Sequence, residues 1–371
     1  MSFFFSANAF PVNGRTILIT GASRGTGLEA GRQLAEKGAS VVIVARDEQR
    51  LREGVEYMRA GLNASSSEHQ RFHHISADLT SPAEAARVVA EATAWNDGAP
   101  PDVVWCTAGV SHPSLFVDTE VDKFRDMMDG NYFSSVYMAH AILRAWLRPE
   151  KGAIDEYHDD DDEDEVKKGS ETPPSSSSSP PSRPAAVAAA ATAHKPTPRH
   201  LIFTASFLAF YPVAGYAPYN PSKAALRSMS DTLSQEMELY AAAHPGRAPV
   251  KVHTVFPATI LTESYEAENR IKPDVTKMLE GPDGGQTPAE VARAAIAGLE
   301  AGHEIITTEL MTRFVSCGML GTSVRGGFWK GLVDYLMGCV GLFALVIVRW
   351  TMDNQVRQWG RLHGDSGMKS K

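Results

Sequence analysis

The chain has 371 residues, 43 % of them hydrophobic and 22 % charged, proportions that exclude a collagen, a coiled coil and wholesale disorder. Its formal net charge of -8 is local: eleven acids and three bases fall between Glu150 and Glu171, leaving 33 of each elsewhere. A neutral body offers no broad basic surface to nucleic acid, so no nucleic-acid partner is expected.

The first residues carry no basic start and no apolar stretch of signal-peptide length, so no cleaved leader is expected. From Arg15 onward, short β-branched runs alternate with amphipathic stretches. Thr16–Thr20 reads as a strand, and 26–37 as a helix with Leu28, Ala30, Leu34 and Ala35 on its apolar face. Ser40–Ala45 is a second strand, followed by a charged helix from Glu48. Phe72–Ser76 is a third strand leading to Asp78, Pro82–Trp95 a helix, Val103–Cys106 a fourth strand and 121–147 one long helical region. This order predicts an α/β fold, a Rossmann-type doubly wound parallel sheet with right-handed crossovers.

The pattern breaks at 150–199, an acidic, Ser-rich and Ala-rich insertion with too little apolar surface to offset chain entropy. It predicts a disordered surface loop interrupting one domain. Order resumes with a strand over 200–204, a helix over 219–240, a strand over Val250–Phe256 and a helix over 288–301. The catalytic domain is therefore expected at 13–310, and a C-terminal region at 311–371. Within the latter, 332–350 is apolar on every side and about long enough to span a bilayer core. We read it as a membrane segment, a candidate transmembrane helix, in preference to a buried helix; a re-entrant hairpin over 314–348 is the other topology it allows. Bases flank it on both sides, so charge does not set its orientation.

Cys106, Cys317 and Cys339 are too few and too scattered for a disulfide framework or a metal site, and read as buried thiols in a reducing compartment. His73, His74 and His112 have no partners at metal spacing and read as structural, so no metal is expected.

Chemistry concentrates in two places. The first strand runs into Thr20-Gly21-Ala22-Ser23-Arg24-Gly25-Thr26-Gly27 and then a helix. In that context glycines let the backbone approach a pyrophosphate, which the amides of the helix N-terminus attract. At the end of the second strand stands Arg46, with Arg50 a turn later and Arg24 in the glycine loop. Arginines where an NAD site usually has a carboxylate favour NADPH, with a 2′-phosphate, although Asp47 argues the other way. The second place is Ser206, thirteen residues before Tyr219, with Lys223 four residues after Tyr219 on one helix face. A nearby ammonium favours phenolate and lowers a phenol pKa from its usual value of about 10, making Tyr219 a usable acid or base. Phe207, Phe210, Tyr211 and Tyr216 lie between these residues and are candidates to line an apolar substrate site.

Together these motifs resemble the short-chain dehydrogenase/reductase family. Gly21, Gly25 and Gly27 match its glycine motif, and Asp78-Leu79 its adenine contact. Ala108 and Gly109 match the end of its Asn-Asn-Ala-Gly motif, while Cys106-Thr107 depart from it. Asn131, Ser206, Tyr219 and Lys223 match its catalytic tetrad. Pro257 and Thr262 match its Pro-Gly-x-x-x-Thr run, with Ala258 in place of the glycine.

The resemblance implies cofactor contacts at Gly21, Ser23, Arg24, Gly25, Gly27, Arg46, Arg50, Asp78, Leu79, Ala108, Gly109, Tyr219, Lys223 and Thr262. It implies carbonyl reduction in which Ser206 orients the carbonyl, Tyr219 supplies the proton, Lys223 holds the nicotinamide ribose, and Asn131 positions a water linking Lys223 to solvent. Val44-Ala45-Arg46, Asn131-Tyr132 and the run from Glu268 to Pro282 are most similar to the 3-ketodihydrosphingosine reductase branch of that family, in its fungal form. That branch implies a long-chain keto-sphingoid base as substrate and an endoplasmic reticulum membrane location with the catalytic domain facing the cytosol. Another lipid ketone, such as a retinoid or steroid, and a non-catalytic nucleotide-binding scaffold are the alternatives. The resemblance also leaves room for a homo-oligomer.

Overall fold

A computed structural model describes residues 8–62, 70–148, 196–281, 284–319, 321, 323, 326–365 and 367–369. Seven strands form one parallel sheet: β1 (Thr16–Thr20), β2 (Ser40–Ala45), β3 (Phe72–Ser76), β4 (Val103–Cys106), β5 (Arg199–Thr204), β6 (Val250–Phe256) and β7 (Ile305–Thr307). Their spatial order is β3-β2-β1-β4-β5-β6-β7, so the winding reverses between β1 and β4. In open sheets of this kind the carboxyl ends of the strands at that reversal hold the ligand site.

Helices α1 (Gly25–Glu36), α2 (Glu48–Ala60), α3 (Pro82–Trp95), α4 (Val121–Met128), α5 (Ser134–Leu147) and α6 (Asn220–Ala243) follow in chain order. Then come α7 (Glu263–Ile271), α8 (Asp274–Glu280), α9 (Pro288–Glu300), α10 (Leu310–Met319) and α11 (Phe328–His363). The alternation of strand side chains splits the core into two layers. Leu18, Val42 and Val104 face a cluster with Val88, Met138, Ile142 and Leu226, whereas Ile17, Ile19 and Val41 face one with Leu34, Met58 and Ile296.

The doubly wound sheet is the one predicted from the order of elements. Beyond the unpredicted strand β7, four details differ. The helical region 121–147 is interrupted by a π-helical turn over Asp129–Phe133. Tyr219 precedes α6, as its N-cap, and does not lie within it. Two helices, α7 and α8, occupy the segment between β6 and α9, where no element was predicted. The predicted disordered insertion lies outside the described residues except at its end, where Arg199 already belongs to β5 and pairs with Val250.

The apolar run 332–350 lies inside the 36-residue α11, about 54 Å long at 1.5 Å per residue. An 18-residue window of this helix has mean hydropathy 2.2 and is 17 % buried, which is unlike a core helix. One side is covered: Asp334, Gly338 and Gly341 are buried against α10, whereas Leu336, Val340, Phe343 and Ile347 are exposed. α10 and α11 do not pack as an antiparallel pair. Arg313 meets Asp334, and Gly338 abuts the Cys317 backbone; Gly341 abuts Phe314, and Gly318 abuts Leu345. The paired residues rise together along both helices, so α10 and α11 advance in the same direction.

Candidate active site

The glycine turn after β1 is pressed against the end of β4. Gly21 has φ +66°, and a Cβ there would lie 2.5 Å from Cα of Ala108, so neither the dihedral nor the space admits a side chain. The same contact places Ala108 beside the turn, while Gly25 (φ +61°) lies next to Thr262 and Gly27 is buried against Thr107. Ser23 and Arg24 complete the turn, and Arg24, at the N-cap of α1, makes no side-chain cap. Among the described residues, the buried hydroxyls of Thr26 at the start of α1 and Ser111 after β4 and the buried amide oxygen of Asn220 at the start of α6 have no hydrogen-bond partner. Unfilled polar atoms around a glycine cradle and a free helix N-terminus fit a dinucleotide.

At the outer end of this cradle Arg46 is exposed just beyond β2. Arg24 and Arg50 converge on one carboxylate, Glu263, the first residue of α7, at 3.6 and 3.1 Å. Arg50 also lies 3.5 Å from Asp47, and its backbone N–H donates to that side chain, so Asp47 acts as the N-cap of α2. Two guanidinium groups thus gather on Glu263, and Arg46 is exposed at the end of β2. Asp78 is exposed beyond β3, where its carboxylate accepts bonds from Thr80. Leu79 is different from the expected contact: its side chain is 6 % exposed and belongs to the core, which leaves only its backbone to face a ligand.

The other four predicted residues meet beside the cradle. Ser206 follows β5, and Tyr219 follows the short segment that leads into α6. Lys223 donates to the carbonyl of Thr204, the last residue of β5, at 3.1 Å. Asn131 is fully buried in the π-helical turn; its side chain accepts from the Val110 backbone at 2.8 Å and donates to the Val110 carbonyl and to Ser222, each at 3.0 Å. Ser222 in turn donates to the Tyr219 carbonyl, so Asn131 braces the start of α6. Both of its side-chain hydrogens are committed, whereas Oδ1 accepts one bond and keeps a second lone pair. A Cβ on Gly109 would lie 2.9 Å from Oδ1 of Asn131 and 3.2 Å from Nζ of Lys223, which explains a glycine at that point.

The electrostatics differ from the sequence expectation in one respect. The Tyr219 phenol is pushed above its usual value, first by burial; its hydrogen bond with Ser206 works downward and the charge of Glu268 upward. Lys223, 5.8 Å from the phenol ring, is itself pushed down to about 8 by burial. In this state burial governs both groups, and Tyr219 is a protonated acid.

Of the four aromatic residues expected to line the site, Phe210 does not: it is 2 % exposed, packed on Phe256 in the core beneath Arg227. Phe207 and Tyr211 stack on each other, and the Tyr211 hydroxyl contacts Met352 of α11. Tyr216 lies 5.9 Å from Tyr219, ring to ring, and its hydroxyl lies within hydrogen-bond distance of both Glu268 and Glu280, sharing its one hydrogen between them. Those two carboxylates also hold the buried Lys272. This cluster was not assigned chemistry from sequence, although Glu268 and Lys272 stand at helical i,i+4 spacing.

Comparison with known proteins agrees with this geometry. A family model described as short chain dehydrogenase matches residues 15–154. The chain is 42 % identical to a 3-ketodihydrosphingosine reductase of Aspergillus fumigatus, over 100 % of this chain and 91 % of that one. It is 40 % identical to one of Neurospora crassa, over 98 % and 87 %. A short-chain dehydrogenase of Shigella flexneri, solved with NADP, superposes with a TM-score of 0.55 at 18 % identity, covering 80 % of this chain and 98 % of that one. At that identity the likeness is one of fold.

Proposed function

The chain belongs to the short-chain dehydrogenase family, in the branch of the 3-ketodihydrosphingosine reductases, and on that premise we propose that it uses NADPH to reduce 3-ketosphinganine to sphinganine in sphingolipid synthesis. It is an oxidoreductase acting on a C=O/CH–OH pair. The observation that carries the finer proposal is the meeting of Ser206, Tyr219, Lys223 and Asn131 beside a glycine cradle at whose outer end Arg24 and Arg50 converge, with Arg46 exposed at the end of β2.

Gly21, Gly25, Gly27 and the amides of α1 would hold the pyrophosphate, and the three arginines the 2′-phosphate. Bound there, the reduced nicotinamide supplies the hydride. Ser206 donates to the substrate's carbonyl oxygen, fixing its direction and stabilising negative charge as it develops. Tyr219, kept protonated by burial, delivers the proton to that oxygen. Lys223 is held by Thr204 with its ammonium turned toward Gly109, where it would meet the nicotinamide ribose. Asn131 acts through position, bracing the turn that carries Tyr219.

A free long-chain amino ketone is poorly soluble, and the exposed apolar sides of α11 suit an enzyme that takes its substrate at a membrane surface. We assign that membrane to the endoplasmic reticulum, with the catalytic body in the cytosol. The test is NADPH oxidation by detergent-solubilised protein with 3-ketosphinganine, beside NADH as cofactor and beside retinal and a steroid ketone as substrates. NADPH with 3-ketosphinganine is expected to be fastest. Faster turnover of retinal or the steroid would overturn the substrate, and NADPH binding without any turnover would point to a scaffold.

A further inference from the structure

Glu268 is bonded to Tyr216, whose ring lies 5.9 Å from that of Tyr219, without belonging to the four residues that act on the carbonyl. It forms one corner of a compact ionic group that fastens α7 and α8 over Tyr216. Lys272, 1 % exposed, lies 2.7 Å from Glu280 and 3.2 Å from Glu268, with its ammonium near the rings of Tyr216 and Tyr265. One lysine against two carboxylates leaves the group one negative charge in excess. Such an excess is costly to bury unless a further cation completes it.

The two carboxylates are not equivalent. Glu280 uses both oxygens, Oε1 for Tyr216 at 2.8 Å and Oε2 for Lys272. Glu268 presents Oε1 to both Tyr216 and Lys272, and its Oε2 has no hydrogen-bond partner among the described residues. Its side chain is 15 % exposed, so that oxygen belongs to a group that is neither sealed in nor bathed in solvent. It is also near enough to Tyr219 for its charge to act on the phenol.

We propose that Glu268 receives the ammonium group borne by the carbon next to the substrate's carbonyl, and so selects an α-amino ketone over a plain ketone. The inference rests on the reading of the substrate as a keto-sphingoid base and adds the residue that recognises it. Across N–C–C=O the nitrogen and oxygen are only about 3 Å apart. A carbonyl oxygen held by Ser206 and Tyr219 therefore keeps its neighbouring ammonium close to Tyr219, and on the side where Tyr216 stands that ammonium would meet Glu268. An ammonium there would satisfy the open oxygen through a charge-assisted hydrogen bond and balance the cluster's charge.

The test compares 3-ketosphinganine with 1-hydroxyoctadecan-3-one, which keeps the chain, hydroxyl and ketone but lacks the amine, in wild type, Glu268→Gln and Glu268→Asp. Wild type is expected to favour the amino ketone by about tenfold or more in kcat/KM, most of it in KM. Glu268→Gln should bring the two ketones within about threefold, by losing activity on the amino ketone alone. A merely structural role would lower both equally. Should Glu268→Gln fail to bind NADPH, Glu268→Asp, which keeps the charge beside Lys272, takes its place and should show a reduced preference. An unchanged preference in a folded variant, or equal turnover of both ketones by wild type, overturns the role of Glu268 while leaving the reductase reading intact. Failure of wild type to reduce either ketone overturns the reading beneath it.

Discussion

The ammonium of Lys223 bonds to the carbonyl of Thr204 at 3.1 Å and does not bond to the phenol of Tyr219 one helical turn before it. The end of β5 thus holds the lysine of α6 in place. Burial lowers Lys223 to about 8, so it is charged below that pH and neutral above it. With Lys223 expected to hold the cofactor, kcat/KM should fall as pH rises through about 8, and Lys223→Arg should move that limb to higher pH. Stability should move the other way. The unfolded lysine titrates near 10.4, so between about pH 8 and 10.4 the unfolded chain binds more protons and folding stability rises with pH. Parallel pH profiles of kcat/KM and of thermal melting check both signs.

Tyr219→Phe removes the proton donor but leaves the ring beside Tyr216. Turnover should fall by about 10²- to 10⁴-fold, while the Kd for NADPH, read by fluorescence titration, should change by less than about threefold. An unchanged rate would remove Tyr219 from the role of acid.

Arg24 and Arg50 share Glu263, a carboxylate standing in the place proposed for a phosphate. Arg46→Ala should weaken NADPH binding by about tenfold and leave NADH binding nearly unchanged, since only the former carries the 2′-phosphate. Glu263→Gln should act in the opposite direction, tightening NADPH by a few-fold by freeing both guanidinium groups, with the gain shrinking at high salt. Isothermal titration with both cofactors separates these outcomes.

The parts that were legible from sequence are those whose physics is local. A β-branched run, a glycine turn and an amphipathic stretch can each be recognised within a dozen residues, and Tyr219 and Lys223 needed only helical spacing. What was missed depends on contacts between distant segments. Strand β7 is three residues long, too short for any alternation to register, and exists because Ile306 pairs with Val255 on a finished sheet. Lys272 looks like a surface lysine until α8 brings Glu280 back to it. The direction of α10 against α11 is set by where Arg313 and Cys317 find Asp334 and Gly338, which no hydropathy profile contains. Phe210 has the composition of a substrate wall and the position of a core residue, because it packs under β6.

His200 and His253, on neighbouring strands, meet at 2.9 Å, and Nδ1 of His253 donates to the His303 carbonyl at 2.8 Å. Burial lowers them to about 2 and about 4 respectively, so both are neutral in the folded protein. Below about pH 6.5 the unfolded chain takes up protons that the folded one refuses, and stability should fall as pH drops toward 4, by about 1.4 kcal/mol per pH unit for each histidine. His200→Gln should cut that slope by about half. Melting curves between pH 4.5 and 7.5 test it.

Phe343 and Ile347 stand 79 % and 64 % exposed on the side of α11 away from α10. Replacing both with Asp should release the protein from phospholipid vesicles in a flotation assay without changing NADPH affinity. Retained flotation would show that attachment lies elsewhere.

Beyond α11 the chain turns back to α8. The carbonyl of Gly367 accepts the N–H of Val275, and the N–H of Lys369 donates to Asp274, so the last described residues pin the first turn of α8. A chain ended after His363 would keep every residue of the apolar helix and still lose this pin. Attachment and turnover can then be uncoupled by a cut of a few residues: such an enzyme would float with vesicles as before, yet hold Glu280 less firmly against Tyr216 and Lys272.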